Sequence, residues 1–172
     1  MISLQTALKR HAEYFYAIIS KAGRLHNSQT SSTAGLSMID TEWRNIVLAF
    51  DFLKSMLRQD PNLAALCNNC VSEAGFYLRL RRHPVEYLSW LQFASEAARV
   101  LEEPVIENNH LGNIGNCYYL LGSFEQAIAT YHDCLHRYQD SGDLLGEART
   151  LTGIGAVYAA KDERLIATQY FE

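Results

Sequence analysis

Apolar residues recur along this chain at intervals of three and four, and no segment alternates at intervals of two between turns. Over residues 4–19, Leu4, Ala7, Leu8, Ala12, Phe15, Ile18 and Ile19 fall on one stripe, which predicts a helix over about 3–24. The stretch HNSQTSSTAG (26–35) is polar and without period, and reads as the one long loop. A second helix is expected over about 38–58, with Ile39, Trp43, Ile46, Ala49, Phe50, Leu53 and Leu57 on its stripe. Asp60-Pro61 then pairs a capping carboxylate with a proline suited to a first helical turn, opening a third helix to Arg81. His83-Pro84 repeats the signal for a fourth helix to 101, and Pro104 opens a fifth that ends at Leu121. Gly122-Ser123 reads as a stop and a cap before a sixth helix (124–140), and Asp143 as the cap of a seventh (144–160). An eighth begins near Asp162. The expected class is all-α, with about eight helices whose short connections make neighbours antiparallel.

The phrase LGNIGNCY at 111–118 returns forty residues later as LTGIGAVY. At that offset Leu111, Ile114, Gly115, Tyr118 and Ala127 match Leu151, Ile154, Gly155, Tyr158 and Ala167, while Tyr131 pairs with Phe171. Gly115 and Gly155 stand mid-helix, where each costs about 1 kcal/mol of helix propensity relative to Ala. The cost points to a neighbour packed too close for a side chain. Such helix hairpins stack, because one alone cannot bury both of its faces. Leu111, Gly115, Tyr118, Ala127, Tyr131 and Cys134 resemble the tetratricopeptide repeat, with cysteine at the last small position and a period longer than that repeat's commonest length. A degenerate unit upstream holds Val71, Ala74, Gly75, Leu78, Leu91 and Ala94, with Tyr87 where a small residue is expected. The resemblance covers about 68–172 and implies antiparallel pairs stacked as a right-handed superhelix.

The first sixty residues carry a second likeness. RHAEYFYAI, followed by IDTEWRNIVLAFDFL, resembles the segment that precedes C-terminal tetratricopeptide repeats in bacterial signal-transduction ATPases with numerous domains. The matching residues are His11, Ala12, Tyr14 and Phe15, then Glu42, Asn45, Ile46 and Ala49. On that likeness, residues 1–60 form a helical pair joined to an upstream module, and 61–172 form the repeats, the last of them incomplete. Ile166, Tyr170 and Phe171, with Val157 beneath, are then expected to expose an apolar patch open to self-association, and the chain to be a fragment of a longer one.

Of 172 residues, 48% are hydrophobic and 20% charged, enough for a core without a metal or disulfide staple. The net charge of −4 supplies no positive field for nucleic acid. Arg79, Arg81, Arg82 and His83 read as a solvated helix end rather than a phosphate site. The N-terminus lacks the continuous apolar run of a signal peptide, and no window reads as a membrane span. A cytoplasmic protein with reduced thiols is expected.

Catalytic and cofactor chemistry finds little support. Cys67 and Cys70 share a helix face as CxxC, which raises a thiol or zinc alternative. The pair lies inside a predicted helix rather than at its start, and no second ligand pair stands near. His132 and His136 have chelating spacing, but Cys134 points away from them and both fall on the outer side of the hairpin. The glycine phrases lack a lysine and do not follow a strand, so they are not phosphate loops. Glu102 and Glu103, being adjacent, face different ways. A non-enzymatic module without cofactor or metal is expected, with a protein or peptide as partner.

The repeat resemblance implies where that partner would sit, since the first helix of each pair lines the concave face. Carried over unit by unit, it selects Asn109, Asn116 and Tyr119; then Arg149, Thr152 and Ala156; and upstream Asn69, Phe76 and Arg79. Asparagine can bond both the donor and the acceptor of an extended backbone, and arginine can hold a carboxylate. Gly112 stands where the family's carboxylate-binding variant has lysine, which argues against capture of a peptide's C-terminus.

Overall fold

The computed structural model describes residues 3–28 and 32–172. Among these, eight helices and no strand are found: α1 (Leu4–His26), α2 (Ser32–Met56), α3 (Pro61–Arg81), α4 (Pro84–Val100), α5 (Pro104–Leu120), α6 (Phe124–Ser141), α7 (Leu144–Ala160) and α8 (Arg164–Phe171). The fold class is all-α, built of helices packed in pairs. Local chemistry explains three of the helix starts. Ser3 caps α1 by accepting from the Thr6 amide at 3.1 Å. Asp60 caps α3 through the Asn62 amide at 2.9 Å with Pro61 in the first turn, and Asp143 caps α7 through the Gly146 amide at 2.9 Å.

Four expectations are corrected. Ser123 occupies the position before α6, but its side chain makes no capping bond. Asp162 lies in the turn at φ 61° rather than opening α8, which starts at Arg164. The loop expected over 26–35 is shorter: α2 already runs from Ser32, and only residues 29–31 of that stretch lie outside the described residues. Its polar first turn reads as loop in the sequence because small residues carry no apolar stripe. Gly35 is buried there against the Ala22 carbonyl, so a side chain at 35 would strike α1 backbone. Finally, the basic cluster is not simply solvated. The Arg82 guanidinium lies 3.9 Å from the Trp43 ring centroid and donates to the Tyr77 hydroxyl at 2.8 Å, tying α3 to α2. That hydroxyl in turn donates to Asp40 at 2.7 Å.

The chain divides into two compact units. One comprises residues 1–83 with 96–102, the other 84–95 with 103–172. In the first, α1 packs on α2, and α3 packs on both. Its core includes Ile19, Ile39, Ile46, Leu53, Leu63 and Leu78, all nearly inaccessible, whereas Leu4 of the expected stripe is exposed. In this unit α3 thus packs together with α1 and α2. In the second unit, α5 packs on α6, α6 on α7 and α7 on α8, and α5 also meets α7. This succession, each helix meeting its neighbour and α5 also the next-but-one, is that of stacked hairpins. Ala127, Tyr131, Ile154 and Val157 form the centre of its core.

Aromatic rings fill the places that the glycines leave. A Cβ built on Gly115 of α5 would stand 2.6 Å from Cε1 of Tyr131, and one on Gly153 of α7 would stand 2.9 Å from its Cζ. Gly155 meets Phe171 at the same 2.6 Å, so the repeat reproduces its geometry as well as its letters. Tyr131 is 3% exposed and Phe171 56%. On α8, Leu165 and Ile166 are exposed beside it, while Tyr170 is half-buried and stacks on Tyr158 at 5.6 Å.

Candidate functional site

The side chains that converge in the second unit do so on the face shared by α5 and α7. Asn109, Asn116 and Arg149 border a cavity of about 380 Å³, along with Gly112, Asn113 and Thr150. Tyr131 and Tyr138 reach it from α6 and form its floor. Both rings are almost fully buried, and burial pushes both phenols above their ordinary value, so their hydroxyls stay protonated as donors. Tyr131 donates to Asn116 Oδ1 at 2.7 Å and Tyr138 to Asn109 Oδ1 at 3.0 Å. With each carboxamide oxygen engaged, the exposed Asn109 and Asn116 have their NH₂ groups left to donate. Among the described residues, neither an ion pair nor a hydrogen bond engages the Arg149 guanidinium, which is exposed beside them. The cavity therefore offers donors and positive charge. What it suits is a ligand rich in acceptors.

The glycines around it belong to the same design. Gly146 lies flat against the Tyr138 ring, with no room for a Cβ, so the ring can slide under α7 and reach Asn109. Nothing stands within 4 Å of a Cβ built on Gly112, which keeps the α5 side of the cavity open.

The other residues selected by the resemblance lie elsewhere. Tyr119 is half-buried, 6.3 Å from the Phe124 ring and packed on the core. Thr152 is exposed and its hydroxyl donates to the Ala148 carbonyl at 2.8 Å. Ala156 is half-buried. In the first unit, Asn69 and Arg79 are exposed on α3, and Phe76 stacks on His26 of α1 at 4.5 Å. Three of the nine thus border the cavity. The tyrosine floor was missed as a site because Tyr131 and Tyr138 read as core. The signal that could have found it is their spacing of seven on one helix face opposite two asparagines also seven apart.

Residues 107–172 match the tetratricopeptide repeat. That stretch of the all-helical structure is thus similar to the tetratricopeptide repeat, and such repeats generally mediate protein–protein interaction. The match covers α5 from Glu107 onward and all of α6 to α8, and so includes the whole cavity. The chain matches no curated protein.

The alternative chemistries can be judged from the side chains themselves. All four cysteines are buried and none forms a disulfide. Burial pushes the Cys67 thiol up to about 12 and Cys70 higher still, the opposite of what a nucleophilic or redox thiol needs. His132 and His136 are exposed, and His136 Nδ1 sits 2.9 Å from Asp140 Oδ2. No cluster of three or more metal-ligating side chains occurs among the described residues, and no helix there is long and apolar enough to cross a membrane.

Proposed function

We propose that the chain is a non-enzymatic interaction module that holds an extended, acidic segment of a partner protein in the α5–α7 cavity. The observation that carries this reading is the pair of tyrosine-anchored asparagines beside an unpaired arginine. Anchoring holds each carboxamide in a rotamer suited to a ligand before it arrives, so less side-chain freedom is lost on binding. Peptide carbonyls would accept from the two asparagines, and a side-chain carboxylate from Arg149. The thiol or zinc alternative is disfavoured by the buried, high-pKa cysteines.

The test is peptide selection from a displayed library, followed by titration of the winners. Asn116→Ala and Arg149→Ala should each weaken binding about 10-fold, in line with loss of a charge-assisted or buffered hydrogen bond, while His132→Ala on the outer face leaves it unchanged. Binding that responds only to His132 or His136 would place the site on the other side and end this reading.

In its fuller form the reading makes the chain the sensor or regulatory arm of a larger bacterial signalling ATPase, a cytoplasmic protein that does not engage nucleic acid. The likeness of His11–Phe15 and Glu42–Ala49 to the segment that precedes repeats in those ATPases supports it. A nucleotide-binding domain encoded upstream of Met1 is the result expected. An open reading frame without one favours instead a free-standing peptide receptor or assembly scaffold. Exposed Leu165, Ile166 and Phe171 on α8 support self-association at that end, which sedimentation at rising concentration would read.

A further inference from the structure

The α5–α7 cavity carries its two anchored asparagines at a fixed step, and that step selects among backbone conformations of a bound chain. We propose, resting on the assignment of an acidic peptide to this cavity, that the peptide is held as a polyproline II segment, through two of its carbonyls one turn apart.

Asn109 accepts from Tyr138 at 3.0 Å and Asn116 from Tyr131 at 2.7 Å. A step of seven along α5 is therefore answered by a step of seven along α6, as antiparallel neighbours require. Seven residues advance an α-helix by about 10.5 Å and return to within about 20° of the same direction. The two carboxamides are thus near copies of each other, displaced about 10.5 Å along α5. Each has its oxygen engaged by a tyrosine and offers N–H to the cavity. A ligand that meets both needs two acceptors facing the same way at that interval.

Backbone geometry decides which conformation supplies them. Carbonyls on one side of a β-strand recur every second residue, at about 6.7 Å and again at about 13.4 Å, and so miss the interval by about 3–4 Å. Two turns of an α-helix span about 10.8 Å, but its carbonyls lie along the axis and are already bonded to its own amides. A polyproline II helix has three residues per turn and rises about 3.1 Å per residue, so carbonyls i and i+3 face the same way about 9.3 Å apart. Those carbonyls have no internal partner. The mismatch of about 1 Å, shared by two bonds, lies within the range of hydrogen-bond lengths.

Asn113 stands between the two donors and adds a group of opposite kind. Its NH₂ donates to the Asn109 backbone carbonyl at 3.1 Å, which leaves its oxygen as an acceptor. That oxygen suits a peptide N–H lying between the two bound carbonyls, which proline lacks. Arg149, on α7, suits a carboxylate. One acidic residue set among prolines supplies both groups.

The experiment titrates the whole chain, by NMR, with a blocked peptide of glutamate flanked on each side by triproline. A counterpart of equal length and charge carries alternating valine and threonine, which favour the β conformation. The proline peptide should bind with a dissociation constant of about 0.1–1 mM and shift the side-chain amides of Asn109 and Asn116 saturably. The valine–threonine peptide should bind about 10-fold more weakly. Asn116→Asp keeps an acceptor for Tyr131 and removes only the donor, so its circular dichroism should match the wild type. With glutamine replacing the peptide's glutamate, which excludes charge repulsion, this variant should bind about 5-fold more weakly than the wild type. Equal or tighter binding of the valine–threonine peptide, with the same dependence on Asn116, overturns the polyproline II assignment and leaves the acidic-peptide reading standing. Absence of saturable shifts with the proline peptide at about 5 mM, or wild-type affinity in folded Asn116→Asp, overturns it too. Dependence of library-selected peptides on Arg149 then decides the broader reading separately.

Discussion

Gly112 and Gly115 lie one helical turn apart on α5, and their surroundings give substitution opposite signs. Alanine at 112 meets nothing within 4 Å, so it should gain roughly 0.5–1 kcal/mol of helix propensity. Alanine at 115 would put its methyl 2.6 Å from the Tyr131 ring, which Gly153 backs from the other side. Overpacking of about 1–3 kcal/mol then outweighs the propensity gain, and Gly115→Leu should cost about 2–4 kcal/mol. Urea denaturation of the variants reads both signs, and a stabilised Gly115→Ala would mean that the ring has room to withdraw. His110 makes a prediction of another kind. It is 3% exposed, and burial pushes its imidazole down to about 4 from an ordinary 6.5. Between those values the unfolded chain binds more protons than the folded one. Stability is therefore complete above about pH 6.5 and declines as the pH falls towards 4, by on the order of 1–3 kcal/mol. Melting temperatures between pH 7 and 5 should fall less steeply in His110→Leu than in the wild type.

At the scale of elements, the turns are as regular as the helices. Positive φ occurs at Glu102 (55°), Gly122 (72°), Gly142 (71°) and Asp162 (61°), spaced by twenty residues, so the forty-residue repeat is two equal helix-and-turn steps. Each of these residues reverses the chain from one helix into the next. Glycine takes that conformation freely, whereas a residue with a Cβ strains by roughly 1–2 kcal/mol. Glu102→Gly should therefore stabilise by about 0.5–1 kcal/mol after its entropic cost, and Gly142→Ala should destabilise by about 1 kcal/mol. Nothing stands within 4 Å of a Cβ built on Gly142, so its loss would report backbone strain alone. Equal stability of all three proteins in urea would show that these turns relax without cost.

For the whole molecule, packing by nearest neighbours predicts partial independence. Residues 84–95 cluster with α5 to α8 rather than with α1 to α3. In a stack of hairpins each element is stabilised mainly by its immediate neighbours, so a portion holding complete neighbours can fold alone. A fragment of residues 84–172 should be helical by circular dichroism and unfold cooperatively in urea, with a midpoint below that of the full chain. It should also retain binding by the α5–α7 cavity, whose bordering residues it contains. A fragment that is unfolded at every urea concentration would show that the second unit depends on the first.

Helix content, helix order and most helix ends were legible in the sequence, because they rest on local chemistry. Asp60-Pro61 and Asp143 announce α3 and α7 through bonds made within three residues. The doubled glycine phrase likewise announced a close approach, since a repeated cost in propensity needs a compensating contact. What approaches was decided only by the tertiary structure: a tyrosine ring from α6, held between α5 and α7. The early start of α2 was hidden for the same reason. Its small polar residues suit a backbone contact at Ala22 that leaves no periodic trace. Nor could the resemblance tell that Phe76 would stack on His26 or that Tyr119 would join the core, because it assigns a face and not a neighbour. The anchored carboxamides of Asn109 and Asn116 depend on distances between helices. Periodicity along a chain fixes which way a side chain leaves its helix; the separation and crossing of the helices decide what it finds there.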